Sequence, residues 1–425
     1  MNDTTKLVNA GDVSVDEVVI TTSRGFYQDI TNQIIGIQIF EDIFSPFITG
    51  TLSIKDGLDL MNAFPFQGEE YLEMKISTPT LNSGNIDNKY YIFKMSNRVM
   101  SGDRATVYDL HFISEEAVID VNKKISRSYG GKCSDIAKKL IQDDEFGLQV
   151  KRPVYIEETK NSTKFISNFW SPVFNINYLT ETSINLNGSA SYLFYEDRNG
   201  FNYVSMESLY RTEIYQDFIY DNYVRDILPD GTAVRNIHQD YKRIRDIKIP
   251  VAYDYIERAR NGMFGSRIVT YDTTTKIYNT KNYDMLQTFN DQYHLNNYPV
   301  ASSKNIYKYN SLIITMPKYS GSFSGWGDVT NASSIQNRTS LMTMLNANKV
   351  EITVPGRCDY TVGMRIQVTL YKVQPEDKTD TDLIDNMFSG SYLVTAINHY
   401  INKNTHECTM EIVKDSLLID LNRTK

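Results

Sequence analysis

The chain has 425 residues, of which 41% are hydrophobic and 23% charged, and its formal net charge is -8 at pH 7. This length predicts roughly two to four domains, and the ordinary apolar and charged fractions exclude the disordered and membrane-spanning classes. The negative charge argues against a nucleic-acid reader, because such proteins usually present a basic face.

The N-terminus and the cysteines indicate a soluble protein made in the cytoplasm. The segment from Met1 to Gly11 has no basic flank followed by an apolar core, and no run of about eighteen apolar residues occurs in the chain. Cys133, Cys358 and Cys408 lack the CxxC spacing of metal and redox motifs. They are expected to be free, reduced core residues.

Tyrosine is abundant, with 30 residues. Tyr favours strands and surfaces that a partner covers, because it joins a large apolar ring to a polar tip. An AT-rich genome would produce the same excess.

The first part of the chain, from Val15 to about Ile113, alternates with the period of strands. The strand-like runs are 34–40, 47–54, 71–76, 90–95 and 106–113, and Gly, Asn, Asp and Pro divide them. The pattern predicts one antiparallel barrel or sandwich.

The period becomes helical after Ser114, which is a good N-cap. Helical spacing continues on both sides of the pair Gly130-Gly131, which is expected to break the run in two. Another amphipathic helix is expected near Pro172. Asn199-Gly200 lies between two alternating runs and predicts a β-hairpin.

Strand patterns return beyond Tyr210 and include a strand pair with Gly262 and Gly265 at its bend. Residues from about 282 to 346 are polar and rich in Asn, Ser and Gly. We expect them to form an insertion or long excursion within the second β-rich part, not a domain of their own.

The ends of the two β-rich parts resemble each other, since each has a Gly-anchored strand followed by two more strands. At a shift of 301 residues the aligned pairs are Tyr91 with Tyr392, Phe93 with Val394, Asn97 with Asn398 and Val107 with Cys408, after which a one-residue slip improves the fit. The repeat predicts a duplicated barrel, although any two β-meanders share alternation. Three such chains would place six units about one axis and could join threefold to sixfold objects.

Several stretches, taken in chain order, resemble the baseplate hub subunits of contractile-tailed phages. They are the first-barrel run GFYQDITNQIIGIQIFEDIFSPFITGTLSIKDGLDLMNAFPFQGEEYLEMKI, the junction hairpin ASYLFYEDRNGFNYVSMESL, the opening strands ARNGMFGSRIVTYD, and the closing strands VPGRCDYTVGMRIQVTL and FSGSYLVTAINHYI. The ordered set carries the resemblance, and no single motif does. Residues 282–346 have no counterpart in it.

The resemblance implies a mainly β fold with an α+β middle segment. Two tail-tube-like antiparallel β-barrels, residues 1–114 and 210–425, would be joined by residues 115–209. It also implies a homotrimer in the virion, forming a pseudo-sixfold ring between a central spike protein, which could carry a cell-wall-degrading domain, and the hexameric tail tube or its initiator. Baseplate wedge proteins would be further partners, and no membrane would be involved. DNA would pass through the bore without specific binding, and the net charge predicts a neutral to acidic bore.

The motifs of catalysis are absent from the sequence, which favours a non-enzymatic protein. The histidines show no HExxH or other ligand spacing; they are His111, His238, His294, His399 and His406. No GxSxG, Walker or GxGxxG motif occurs. We therefore expect no catalytic, cofactor-binding or metal-binding residues.

Acidic residues group at three places. Glu69-Glu70 precedes a strand, and residues 143–145 end a helix. A polar loop holds the largest group, which is Glu376, Asp377, Asp380, Asp382 and Asp385. That loop lacks the Asp-x-Asp-x-Asp-Gly order of a calcium loop and is expected to be solvated. The aromatic and charged stretch 211–226 favours a protein interface, because its acidic residues outnumber Arg and oppose phosphate binding.

Two other functions stay open. A secreted β-rich carbohydrate-binding or hydrolytic protein would explain the tyrosines and would be a monomer that acts on glycan. The hub part of a type VI secretion spike would continue into a needle of repeated short strands, whereas this sequence stops at Lys425.

Overall fold

The computed structural model describes residues 9–60, 67–79, 81, 84–102, 104–220, 226–227, 233–234, 237–252, 254–302, 311–318, 331–372 and 383–422. Antiparallel sheets dominate these residues, which confirms the mainly β fold predicted from the sequence. No helix in the described ranges is long and apolar enough to cross a bilayer.

The described residues of the N-terminal part form mainly strands, with one 3-10 turn at Thr31–Gln33. Its strands are β1 Ser14–Thr21, β2 Tyr27–Asp29, β3 Ile34–Asp42, β4 Thr49–Asp56, β5 Glu70–Ser77, β6 Ile86–Met100 and β7 Thr106–Ser114. All five strand-like runs predicted for this part are confirmed.

The middle part mixes helices and strands. Its elements are α1 Glu115–Asn122, β8 Ile125–Lys132, α2 Cys133–Gln142, β9 Val154–Ile156, β10 Ser162–Trp170, α3 Pro172–Thr182, β11 Tyr192–Asp197, β12 Gly200–Ser205 and α4 Met206–Tyr210.

The C-terminal part returns to strands, with short helices between them and 3-10 turns at Phe289–Asp291 and Asn331–Ser333. Its elements are β13 Ile214–Tyr220, β14 Asp226–Ile227, β15 Ala233–Val234, α5 Ile237–Asp240, β16 Asp246–Ala252, α6 Tyr255–Arg260, β17 Gly265–Asp272, β18 Tyr278–Asp284, α7 Met285–Thr288, β19 Tyr298–Pro299, β20 Ile313–Lys318, α8 Ile335–Leu345, β21 Asn348–Pro355, β22 Arg365–Leu370, β23 Gly390–Asn402, β24 His406–Val413 and β25 Ser416–Leu417.

One continuous sheet runs through both β-rich parts. Its strand order is β16-β21-β24-β23-β3-β4-β7-β6-β5-β1-β2, and β13 joins it by pairing with β22. We call β1–β7 the first unit, and β13, β16 and β21–β24 the second unit. The two units meet where β23 pairs with β3.

The two units repeat one pairing scheme. In the first unit β3 pairs with β4, β4 with β7, β7 with β6 and β6 with β5, all antiparallel. In the second unit β16 pairs with β21, β21 with β24, β24 with β23 and β23 with β22, again antiparallel. The strands take corresponding places in chain order, which supports the predicted duplication.

A shared β-bulge corrects the sequence alignment of the two units. The register of β6 on β7 shifts between Ile92 and Lys94, and that of β23 on β24 shifts between Val394 and Ala396. Since bulges are specific local features of a ladder, they fix the correspondence. The equivalent pairs are then Tyr90 with Tyr392, Ile92 with Val394 and Tyr108 with Cys408, all of them buried. The predicted matches of Tyr91, Phe93 and Val107 were therefore each off by one residue.

The described residues form three apolar cores, and the largest also includes Leu193, Val204 and Tyr210 of the middle part. One core belongs to the first unit, one lies between the middle helices and strands, and the largest belongs to the second unit. In β4, for example, Leu52 and Ile54 are buried while Thr51 and Ser53 face the other side of the sheet. The domain boundaries at residues 114 and 209 stay a prediction.

The middle part differs from its predicted helices at one place. The pair Gly130-Gly131 lies inside β8, which pairs with β10, and does not simply interrupt a helical run. The helix expected near Pro172 is confirmed as α3, with Ser171 as its N-cap. The hairpin around Asn199-Gly200 is confirmed as β11 and β12.

The polar stretch predicted as an insertion is ordered in its described parts. Residue 282 lies inside β18, which pairs with β17, and β17 also pairs with β20. Helix α8 ends the stretch, and its Leu341, Met344 and Leu345 belong to the core of the second unit. The excursion therefore starts before residue 282 and contributes to the core. The loop-like patch GSFSGWGD lies outside the described residues.

Candidate assembly interface

The junction between the units shows how two such units associate. One edge of β23 is shared by two strands: Gly390–Leu393 pair with β22, and Ala396–Asn402 pair with β3 of the first unit. The second half of β23 is thereby covered, and Ile397 and Ile401 are buried.

In the first unit the corresponding strand is β6, and the edge of β6 is likewise divided into two segments. Ile86–Ile92 pair with β5, as the start of β23 pairs with β22. From Lys94 to Met100, β6 pairs with β7 along its other edge. Within the described ranges no strand covers the remaining edge of this half. Three large apolar side chains are accordingly exposed along it: Phe93 by 49%, Val99 by 63% and Met100 by 77%.

The counterpart of β3 in the second unit, β16, also has an open edge. It ends the sheet, because it pairs with β21 alone among the described strands. Ile249 on this strand is 42% exposed. An unpaired strand edge is a template for pairing with another chain. The molecule thus contains one formed junction, in which β23 pairs with β3. It also contains the two corresponding strands, β6 and β16, whose equivalent edges have no partner strand among the described residues.

Buried polar contacts hold the joined copy together. The Glu41 carboxylate of β3 accepts hydrogen bonds from the Thr361 hydroxyl at 2.5 Å and the Val362 N–H at 3.3 Å. Burial raises the pKa of Glu41 to about 8. One first-unit side chain is thereby tied to the loop before β22.

The β11–β12 hairpin bridges both units. Arg198 donates to the carbonyl of Gly84 at 2.7 Å in the first unit and to that of Cys358 at 2.6 Å in the second. A Cβ at Gly84 would overlap the guanidinium, so this glycine makes room for the contact. The middle hairpin therefore locks the relative position of the two units.

A second bridge joins the middle part to the first unit. Arg152 forms ion pairs with Glu116 at 3.0 Å and Glu196 at 2.7 Å, and Glu196 also accepts the Ile48 N–H at 2.9 Å. Burial raises the pKa of Glu196 to about 7, while Arg152 acts in the opposite direction.

The face of the continuous sheet that points away from the cores is polar across both units. One cross-strand row runs His111, Thr51, Gln38, Tyr400 and Glu407 from β7 to β24. In this row His111 is hydrogen-bonded to Thr51 and, through Nε2, to Ser96 at 2.7 Å.

Three basic side chains on this polar face form ion pairs. Lys349 pairs with Glu411 at 3.2 Å, Lys248 with Glu351 at 3.4 Å and Arg245 with Glu407 at 2.5 Å. These pairs reduce the positive charge that the second-unit part of the face offers to a polyanion.

The histidines and cysteines fall into different environments. His111 lies on the polar face, and His294 is buried between the Asp415 carboxylate at 2.6 Å and the Phe289 carbonyl at 3.0 Å. His238 belongs to α5. All three cysteines are buried and free, as predicted.

The structure does bring His399, His406 and Cys408 together in the interior of the β23–β24 hairpin. Each of these residues was considered singly in the sequence, and this cluster was not predicted. The available signal was the two-residue spacing of His406 and Cys408, which places both side chains on one face of a strand.

Where the structure describes them, the acidic groups accept hydrogen bonds from backbone N–H groups. Glu70 accepts the N–H groups of Gln67, Gly68 and Glu69, and Asp143 accepts those of Glu145 and Phe146. In the polar loop, Asp385 caps the following turn. Its predicted partners Glu376, Asp377, Asp380 and Asp382 lie outside the described residues, so the solvated loop stays a prediction.

The stretch 211–226 is partly described. Its β13 pairs in parallel with β22, and Ile214 and Tyr215 are exposed by 43% and 44%. Their exposure is compatible with the predicted interface.

Comparison with known proteins gives full-length similarities. A protein named probable baseplate hub protein gp334, from Vibrio phage KVP40, is 21% identical over 423 residues, covering 92% of both chains. No protein-family model matches the chain.

Solved structures show the same fold. A tail protein from Neisseria meningitidis MC58 has a TM-score of 0.56 at 11% identity, with 94% of this chain and 96% of that chain covered. The 43 kDa tail protein of prophage MuSo2 from Shewanella oneidensis has a TM-score of 0.51 at 11% identity, with 94% and 98% covered. The resemblance to phage baseplate hub proteins, stated from the sequence, is confirmed: this chain is similar along almost its whole length to a phage baseplate hub protein and has the fold of phage tail proteins.

Proposed function

We propose that this chain is a structural, non-enzymatic subunit of a phage baseplate hub, in which three copies close into a ring of six similar units. One observation carries the ring: β6 and β16 are the open equivalents of the joined strands β23 and β3. Pairing β6 of one chain with β16 of the next repeats the internal junction between chains. The contact is heterologous, and such contacts close into rings when the rotation allows it.

The register of the intermolecular pair follows from the internal one. Ala396 and Ile397 of β23 face Asp42 and Glu41 of β3. The equivalents of Ala396 and Ile397 in β6 are Lys94 and Met95, which would face the C-terminal end of β16 in the next chain. This pairing would cover the exposed apolar side chains Val99 and Met100.

The resemblance supplies the partners of the ring. A central spike protein would bind one side, the tail tube or its initiator the other, and baseplate wedge proteins the periphery. The polar face of the sheet would line the bore, since it is continuous across both units and three of its basic groups are paired. DNA would pass along it without being held.

Solution mass tests the ring. The molar mass of the chain is measured by light scattering with and without its spike partner, and the expected particle contains three chains of 48.9 kDa each.

Val99→Lys adds a charge to the β6 edge and should convert the trimer to monomers, because charge on an edge opposes pairing. Val121→Lys is the matched control, since Val121 is 72% exposed and lies on helix α1, which is not one of the two edge strands. A monomer in the presence of the spike partner, or a trimer that survives Val99→Lys, would contradict the proposal.

A further inference from the structure

Three side chains that bind transition metals converge beneath the junction of the units. His399 Nδ1 lies 3.0 Å from His406 Nε2, and Cys408 Sγ lies 3.3 Å and 3.4 Å from these two nitrogens. Each residue is at most 1% exposed. The three lone-pair-bearing atoms therefore face one another in a site closed to solvent.

The spacing of these atoms fits the ligands of one small ion. Zinc bonds of about 2.0–2.1 Å to nitrogen and about 2.3 Å to sulfur, at tetrahedral angles, place the ligand atoms roughly 3.3–3.6 Å apart. The observed separations of 3.0 Å to 3.4 Å differ from this range by a few tenths of an ångström. Imidazole and thiolate together are the ligands that zinc prefers.

The fold sets these orientations before any ion binds. His399 of β23 lies directly opposite Cys408 of β24, and His406 lies two residues before Cys408 on the same face. Gly356 lies against the His406 ring, and a Cβ at this position would overlap it. The absence of that Cβ allows the imidazole to turn toward the other two ligands.

A carboxyl group lies near the outer side of one of the proposed ligands. The outer nitrogen of His399, Nε2, is 3.8 Å from Oε1 of Glu41 on β3. Metal-bound histidines commonly present their other N–H to a carboxylate, which fixes the tautomer.

Hydrogen bonding alone leaves this cluster incomplete. If one proton bridges His399 Nδ1 and His406 Nε2, the outer nitrogen of each ring remains. His399 has a hydrogen bond to the backbone of Tyr360, whereas His406 Nδ1 has no hydrogen-bond partner among the described residues. A buried polar group without a partner is destabilising. A bound ion would place the protons on the outer nitrogens and direct the His399 proton toward Glu41.

We propose that His399, His406 and Cys408 bind one Zn²⁺ ion as two neutral imidazoles and a thiolate, with a water molecule as fourth ligand. Binding releases the Cys408 thiol proton to solvent. The ion is structural: it crosslinks β23 to β24 directly below the strand pair that joins the units, with Glu41 of β3 as positioning residue. The site does not depend on the ring proposed above.

Metal content and cobalt spectroscopy test the site on the full chain. The protein is stripped with EDTA, reloaded with ZnCl2 or CoCl2 and desalted. The expected result is one zinc per chain, and a thiolate-to-Co²⁺ charge-transfer band in the cobalt form. A chain that binds no zinc, or that takes up only Cu⁺, overturns the proposal.

Matched cysteine variants assign the ligand. Cys408→Ser should lower zinc affinity by about 100-fold or more, since loss of even an outer partner costs roughly 10–100-fold. The double variant Cys133→Ser/Cys358→Ser keeps Cys408 as the single cysteine of the three, and it should keep both the zinc and the cobalt band. Undiminished zinc binding in Cys408→Ser, or loss of the band in the double variant, overturns the assignment. If Cys408→Ser fails to fold by circular dichroism, the band in the double variant decides.

Glu41→Gln tests the positioning role. It should weaken zinc binding by about 10–100-fold while the stoichiometry stays at one ion per chain at saturating zinc. An unchanged affinity would remove Glu41 from the site.

Discussion

Arg152 is the cation of a buried ion-pair cluster in the middle part that contacts the first unit through Glu196. It is the shared partner of Glu116 and Glu196, whose side chains are 11% and 0% exposed. Arg152→Met would leave two carboxylates in a poorly solvated site, so we expect the free energy of unfolding to fall by about 3–5 kcal/mol. Urea denaturation measures the change.

Lys75→Met is the control for this prediction. Lys75 pairs with Glu17, but both side chains are about half exposed. Exposed ion pairs contribute little to stability, so this variant should unfold at nearly the wild-type urea concentration. Equal effects of the two substitutions would contradict the role given to Arg152.

Lys414 should make stability depend on pH. Its ammonium donates to the carbonyls of Met387 at 2.6 Å and Ser389 at 3.1 Å, and burial lowers its pKa from 10.5 to about 7. Between these pKa values the unfolded chain binds the proton and the folded chain does not, so stability rises with pH. The contribution approaches about 1.4 kcal/mol per pH unit within this window.

Lys414→Met should remove that contribution. Urea denaturation of wild type and variant at pH 7.5 to 9 gives the difference in unfolding free energy, in which the other titrating groups cancel. The difference should grow in favour of the wild type as pH rises. A difference that stays constant over this range would show that Lys414 keeps an ordinary pKa in the fold.

At the scale of elements, close packing of β3, β4 and β7 depends on Gly50. A Cβ at this position would overlap the Phe112 ring and the Gln38 carbonyl. Gly50→Ala should therefore destabilise the chain by about 1–3 kcal/mol, as overpacking does. Gly57→Ala is the matched control, because a Cβ there meets nothing within 4 Å. Thermal unfolding compares the two, and similar melting temperatures would refute the packing argument.

Strands with one buried face were predictable from sequence, because apolar and polar residues alternate along them as the side chains alternate between the two faces. The run from Thr49 to Asp56 alternates residue by residue, and its strand was predicted. The strand Ile125–Lys132 was not, because only its first residue is buried and Gly130-Gly131 resembles a break. Exposure on both faces removes the period from which a strand is recognised.

Features that depend on the register of strand pairing could not be predicted from the sequence. The one-residue error in aligning Tyr91 with Tyr392 arose because the bulge after Ile92 has no residue signature. The same limit hid the cluster at His399, since only the pairing of β23 with β24 shows that Cys408 lies opposite. The polar helix α8 was missed because three buried apolar side chains are too few to mark a stretch rich in Asn and Ser.

At the scale of the whole molecule, the proposed bore predicts how the ring treats DNA. Three basic groups of the polar face are paired with Glu351, Glu407 and Glu411. Nonspecific DNA binding comes mainly from Lys and Arg contacts with phosphates. The assembled wild-type ring should therefore not retain duplex DNA, even at low salt.

Replacing those three glutamates by Lys should make the ring retain DNA, with affinity falling steeply as salt increases. Their side chains are between 36% and 43% exposed, so the variant is expected to fold despite losing three surface pairs. The control carries the same charge change at Asp135, Asp144 and Glu145 of the middle part, which are exposed outside the polar face. Filter binding at several salt concentrations compares them. If both variants bind DNA equally, net charge alone governs the interaction and the polar face does not line the path of the DNA.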